Sequence, residues 1–183
     1  PDVEITQNEL FSKELEEKVN AGEELLDRLR QDLKTCDNKL EMIQHGLYPP
    51  TFGFTDSAYL RGSVQIQRRL QLKLVKENKA FTEHGDFVLF GSKKNGTKLV
   101  SNYKNLLLKT LNAEAEAVRK KLTLRNEESK DQKIRTIAEQ LDKLGEALFV
   151  EFSEEYINAK QRELGAWMID KHSDQQEKEE RKE

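Results

Sequence analysis

The sequence is short of the residues that staple folds and build reactive centres. It has one cysteine, Cys36, in 183 residues, which excludes an intrachain disulfide framework and fits a reducing compartment. Of its three prolines, Pro49 and Pro50 are adjacent and the third is Pro1, so long stretches are free to be helical. Its three histidines, His45, His84 and His172, lie far apart, none with a second ligand at metal spacing, and no metal centre is expected. No apolar run approaches the roughly 18 to 20 residues that span a bilayer, and there is no secretory signal. The sequence starts at Pro1 rather than methionine and reads as an excised piece, so membrane attachment is expected only through a segment outside it. What is abundant is charge. Apolar and charged residues each make up 36% of the chain, a balance that suits long helices with wide solvated faces and limits any single core.

That charge is divided unevenly. The net charge of −3 is made of −7 over residues 1–60, +10 over 61–125 and −6 over 126–183. A basic middle between acidic ends either pairs with those ends and water, or forms a surface for nucleic acid or an acidic protein.

The clearest periodicity lies in the first segment. Leu15, Val19, Gly22, Leu26, Leu29, Leu33, Cys36, Leu40, Ile43 and Leu47 are spaced alternately four and three apart. This is the seam of a heptad repeat, and it predicts a coiled-coil helix over about 8–45, roughly 55 Å long. The seam needs a partner, either another helix of this chain or a second copy, and a homodimer is expected. Cys36 reads as a small seam residue. Gly46, then Pro49-Pro50, should end the helix.

After an aromatic loop, Asp56 or Ser57 can cap a second helix over about 57–79, with Ile66, Leu70 and Leu74 inward and Arg61, Arg68, Arg69, Lys73, Lys76 and Lys79 outward. Phe81-Thr82 and Phe87 to Phe90 flank "EHGD" and read as a hairpin. Helices follow at about 97–124 and 126–145, the latter with Ile134, Ile137, Leu141, Leu144 and Leu148 in three-four spacing. "ALFVEF" (147–152) reads as a third strand. Ser153 opens a last helix anchored by Tyr156, Ile157, Leu164, Trp167 and Met168. The expected fold is mainly α (α+β), with a coiled-coil arm over 1–47, a helical domain with a short two- or three-stranded antiparallel sheet over 48–169, and a charged tail or linker over 170–183.

Chemistry is sparse. "LFGSKKNGTKLV" (89–100) approaches the phosphate-loop pattern G-x-x-x-x-G-K-[ST], but Thr97-Lys98 reverses its last two residues. The hydroxyl then stands where the ammonium should project, and the ammonium turns about 100° around the helix. The parallel sheet of further strand–helix units that such a loop serves is missing too, which argues against nucleotide hydrolysis. The loop is either an anion site formed by Lys93, Lys94 and Lys98 at a helix start, or a glycine-punctuated turn. Glu23-Glu24 and Glu154-Glu155 look solvated. Nothing assembles into an enzyme, and no cofactor is expected.

Three ordered stretches carry a resemblance. "GLYPPTFGFTDSAYLRG" resembles a block in which G-L-Y-x-P precedes F-x-F, a serine and a tyrosine. "FGSKKNGTKLVSNYKNLLLKTLNAEAEA" is similar to a second block with G-S-K, a glycine and a later N-x-E. "FSEEYINAKQRELG" is similar to a third, S-x-E-Y followed by K and E-L. Together, over about 40–170, they resemble the domain found upstream of GIY-YIG nuclease domains in bacterial and phage proteins, among them the membrane-associated phage-defence nucleases called SNIPE. No GIY or YIG pair and no catalytic arginine–glutamate set can be placed here, so this chain is expected to be the non-catalytic portion.

The resemblance implies a recognition or positioning module that directs an attached nuclease by binding a phage tail or DNA-ejection component or a host membrane protein. It also implies a location on the cytoplasmic face of the bacterial inner membrane. The residues expected to contact a partner or anion are Lys93, Lys94, Lys98, Arg68, Arg69, Tyr48, Phe52, Phe54 and Tyr59. The alternatives are sequence-independent binding of the DNA phosphate backbone by the basic middle, and a plain coiled-coil scaffold.

Overall fold

A computed structural model describes residues 2–53, 57–123 and 126–180. Phe54 and Asp56 lie outside the described residues. The fold is mainly α, with five helices and one two-stranded antiparallel sheet: α1 Asp2–Gln44, α2 Ala58–Lys76, β1 Phe81–Glu83, α3 Lys93–Lys120, α4 Glu127–Gly145, β2 Val150–Phe152 and α5 Glu154–Glu180. Residues up to Glu41 form one unit, and those from Met42 form another.

In the first unit the heptad seam is helical and open. Leu15, Val19, Leu26, Leu29, Leu33 and Leu40 are all exposed, as is Cys36. Glu24 with Arg28 and Asp27 with Arg30 pair along the helix at 3.5 and 3.3 Å, contacts that add only a few tenths of a kcal/mol each. The last residue assigned to the seam behaves differently: Leu47 is fully buried and belongs to the second unit.

The second unit takes in the last residues of α1 and the cap that ends it. Gly46 adopts φ +77, its N–H donates to the Ile43 carbonyl at 3.0 Å, and the Leu47 N–H donates to the Met42 carbonyl at 2.8 Å. These two bonds are a Schellman cap, which only a residue tolerant of positive φ supports readily. α2 packs along α5 and α3 along α4, while α4 also contacts α5 and β2. The centre is filled by Leu60, Val64, Leu111, Ile134 and Tyr156. Each such aliphatic side chain contributes about 1.5–3 kcal/mol through removal from water. The buried face of α2 is Leu60, Val64, Arg68, Gln71, Leu72 and Leu74, so Ile66, expected inside, is exposed. Leu144 of α4 is exposed too, because the buried face of that helix runs through Ile134, Ile137, Ala138, Leu141 and Gly145.

The sheet differs from the expected hairpin. β1 pairs with β2, Phe81 opposite Phe152 and Glu83 opposite Val150, and the two phenylalanine rings stack at 4.6 Å between centroids. "ALFVEF" is divided between the end of a short 3-10 turn, Glu146–Leu148, and a strand of three residues. Residues 87–90 instead run into a tight turn closed by paired Leu89–Ser92 hydrogen bonds of 3.2 and 2.9 Å. Phe90 and Gly91, with φ +50 and +72, form its corner, as in type I′ hairpin turns.

Candidate functional site

Three helices of the second unit send polar side chains inward. α2 supplies Arg68 and Gln71, α3 supplies Asn112, and α5 supplies Tyr156, Lys160 and Glu163, all of them buried. On α5 the steps of four and three place all three side chains on one face. Glu163 is the hub. Its Oε1 accepts from Arg68 Nε at 2.8 Å, and its Oε2 accepts from Gln71 Nε2 at 2.9 Å and Lys160 Nζ at 3.1 Å. Arg68 also donates to the Tyr48 carbonyl. Asn112 Nδ2 donates to the His45 carbonyl at 2.8 Å, and Asn112 Oδ1 accepts from the Tyr156 hydroxyl at 3.2 Å.

Burial by itself would push the Glu163 carboxyl up. The charges of Lys160 and Arg68, with hydrogen bonds from Gln71 and Arg68, outweigh it and hold the group at about 2. Burial pulls Lys160 below its ordinary range, opposed by the Glu163 charge. Burial also pushes the Tyr156 hydroxyl well up, so it remains a donor. With Glu163 fixed as a carboxylate and Tyr156 fixed as a phenol, the network's evident work is to brace α2, α3 and α5 and to hold the chain after α1 by its carbonyls. A polar network of this kind is costly unless satisfied, and removing one member leaves the others uncompensated.

The residues expected from sequence to bind a partner do not form one patch with this network. Arg68, expected on the outward face of α2, lies inside with its guanidinium committed to Glu163, while Arg69 next to it is exposed. Tyr48 uses its carbonyl inside and leaves its ring exposed, and Tyr59 is exposed at the start of α2. Phe52 stacks on Trp167 at 5.5 Å, with the Arg61 guanidinium 5.3 Å from Phe52 and that of Arg119 4.4 Å from Trp167. Lys94 and Lys98 are exposed on the first turns of α3, while Lys93 pairs with Asp86 at 2.6 Å.

The glycine loop is a turn into a helix. Ser92 caps α3 by accepting from the Asn95 N–H at 3.2 Å. A Cβ on Gly96 would sit 1.8 Å from the Phe87 carbonyl oxygen, so the second glycine is required by close packing of backbone on helix. At the corner Phe90 is 94% exposed. A bulky side chain at positive φ, left in water, is strained as well as exposed. Sequence reading missed Phe90 because "FVLF" looks like strand. It passed over Gln71, Asn112, Tyr156, Lys160 and Glu163 as site residues, although polar residues interrupting apolar helix faces at three-four spacing were a usable signal.

The three motif blocks each contribute to this network: the first through the carbonyl of Tyr48, the second through Asn112, the third through Tyr156, Lys160 and Glu163. A family model, the SNIPE associated domain, matches residues 57–175. The chain belongs to the SNIPE associated domain family. The matched span runs from the α2 cap Ser57 into α5 and so contains every side chain of the network. Its two ends are tied, since Ser57 Oγ donates to Asp170 Oδ1 at 2.5 Å. No curated protein and no solved structure matches the chain. Among the described residues of this SNIPE associated domain, no group of three or more His, Cys, Asp or Glu could hold a metal ion, and no helix is long and apolar enough to cross a membrane.

Proposed function

We propose that this chain is the non-catalytic recognition and positioning module of an antiphage nuclease, binding a phage tail or DNA-ejection component, or a host membrane protein, and so directing cleavage by an attached GIY-YIG domain. The family match over 57–175 carries the reading. The exposed Tyr48, Tyr59 and Phe90 supply aromatic contact points of the kind that anchor protein interfaces. In this reading α1 pairs with a second copy through its open seam, and the whole protein works at the cytoplasmic face of the inner membrane.

A second reading, binding of the DNA phosphate backbone, is favoured by the exposed Arg69, Lys94 and Lys98. It is weakened by how much of the basic middle is already paired: Arg68 with Glu163, Lys93 with Asp86, Lys104 with Glu83 and Arg119 with Glu116. Affinity capture from phage-infected cells separates the two. The proposal expects enrichment of a tail or ejection component over an unrelated coiled-coil bait. Recovery of DNA without phage protein favours the second reading, and no enrichment over the control bait overturns the first.

A further inference from the structure

Beside the network lies a small cavity of about 20 Å³, room for about one water molecule. Its lining includes Arg68, Glu116, Arg119, Lys160, Glu163 and Trp167. Two features of this lining are unbalanced. Trp167 is 6% exposed and its Nε1 donor is buried without an acceptor. Lys160, also buried, carries three N–H donors, and its one hydrogen bond is to Glu163. Three cationic side chains face two carboxylates here, so a positive charge is in excess. A buried donor left without an acceptor, as at Trp167, is rare in folded proteins, and an unassigned water or ion is one reason for it.

We propose that this cavity is an anion site that takes one oxygen of a carboxylate or phosphate group, held by Lys160 Nζ and the Trp167 indole N–H. A water could accept from both donors but would leave the excess charge uncompensated. The way in is set by the Glu116–Arg119 pair. Arg119 donates to both Glu116 oxygens, at 2.9 and 2.5 Å, and lies over the Trp167 ring. Their side chains are 35% and 17% exposed, so the pair stands at the rim and not in the interior. An incoming anion can therefore replace Glu116 as the partner of Arg119 while its leading oxygen enters the cavity. The chemistry is that of charge-assisted hydrogen bonds in a desolvated site. It requires no phage component, so this inference and the recognition reading can fail independently.

Trp167 is the one tryptophan in the sequence, so its emission reports on the site without a label. The 183-residue chain is titrated with sodium phosphate, sodium acetate and sodium chloride at matched ionic strength. The proposal expects a saturable change in Trp167 emission with phosphate, acetate or both, and none with chloride; which oxyanion acts identifies the ligand group. Arg119→Gln, at the rim, should weaken the response about tenfold while the protein stays folded, consistent with loss of one charge-assisted hydrogen bond. Lys160→Met should abolish the response, with its fold checked by circular dichroism. An equal response to chloride, an unchanged response in Arg119→Gln, or no saturable response to either oxyanion overturns the proposal.

Discussion

Glu163 is a carboxylate that burial alone would neutralise, kept charged by Lys160 and Arg68. Its group sits at about 2 in the folded chain against an ordinary value of 4.5. Between those values the unfolded chain binds more protons than the folded one. The stabilisation from Glu163 is therefore complete above pH 4.5 and lost as pH falls toward 2. Glu163→Gln leaves Arg68 and Lys160 buried without a counter-charge and should cost about 3–5 kcal/mol at neutral pH. Urea unfolding across this acid range checks both statements. The wild type should lose stability as pH falls, and Glu163→Gln should show a shallower loss. Equal slopes would mean that Glu163 is not the group that titrates. At this scale the sequence was only partly readable. Tyr156 and Trp167 were legible as buried anchors from their helical spacing. Arg68 was not, because a basic residue among basic neighbours carries no sign of burial until the helix facing it supplies Glu163.

Among the elements, α1 is the one whose helix the sequence states most directly. Its four-three spacing predicts a helix, and the structure holds a helix from Asp2 to Gln44 with the seam leucines exposed. A row of apolar side chains that long is costly in water. The account expects a dimer by light scattering, converted to a monomer by Leu26→Glu with Leu33→Glu without loss of the second unit's melting transition. A wild-type monomer would remove the dimer from the proposal. The strands were the least legible elements. β1 and β2 are three residues each and lie far apart in sequence, so nothing local links Phe81 to Phe152. The nearer "FVLF" offered a false partner, and its conversion into a turn depends on Phe90 and Gly91 both taking positive φ, which a hydrophobic run does not announce. Gly46 was legible as a cap because the glycine and the prolines after it mark the same boundary.

For the whole molecule, the resemblance drawn from three separated blocks and the family match over 57–175 describe the same domain, and the structure gives the blocks a physical reason to occur together. They are distant in sequence because they sit on different elements, and the fold brings the Tyr48 carbonyl, Asn112 and the Tyr156–Glu163 face of α5 into one interior. The network's side chains are buried and committed to one another, so in the proposed reading contact with a partner falls to the exposed groups. Phe90, strained and almost wholly in water, is the strongest of these. The most direct test places a photo-crosslinking amino acid at Phe90 in the full-length protein, irradiates cells before and after phage infection, and identifies the adducts. The account predicts an adduct with a phage tail or ejection component, or a host membrane protein, that appears or increases on infection. Adducts with nucleic acid alone, or an identical pattern before and after infection, would contradict it.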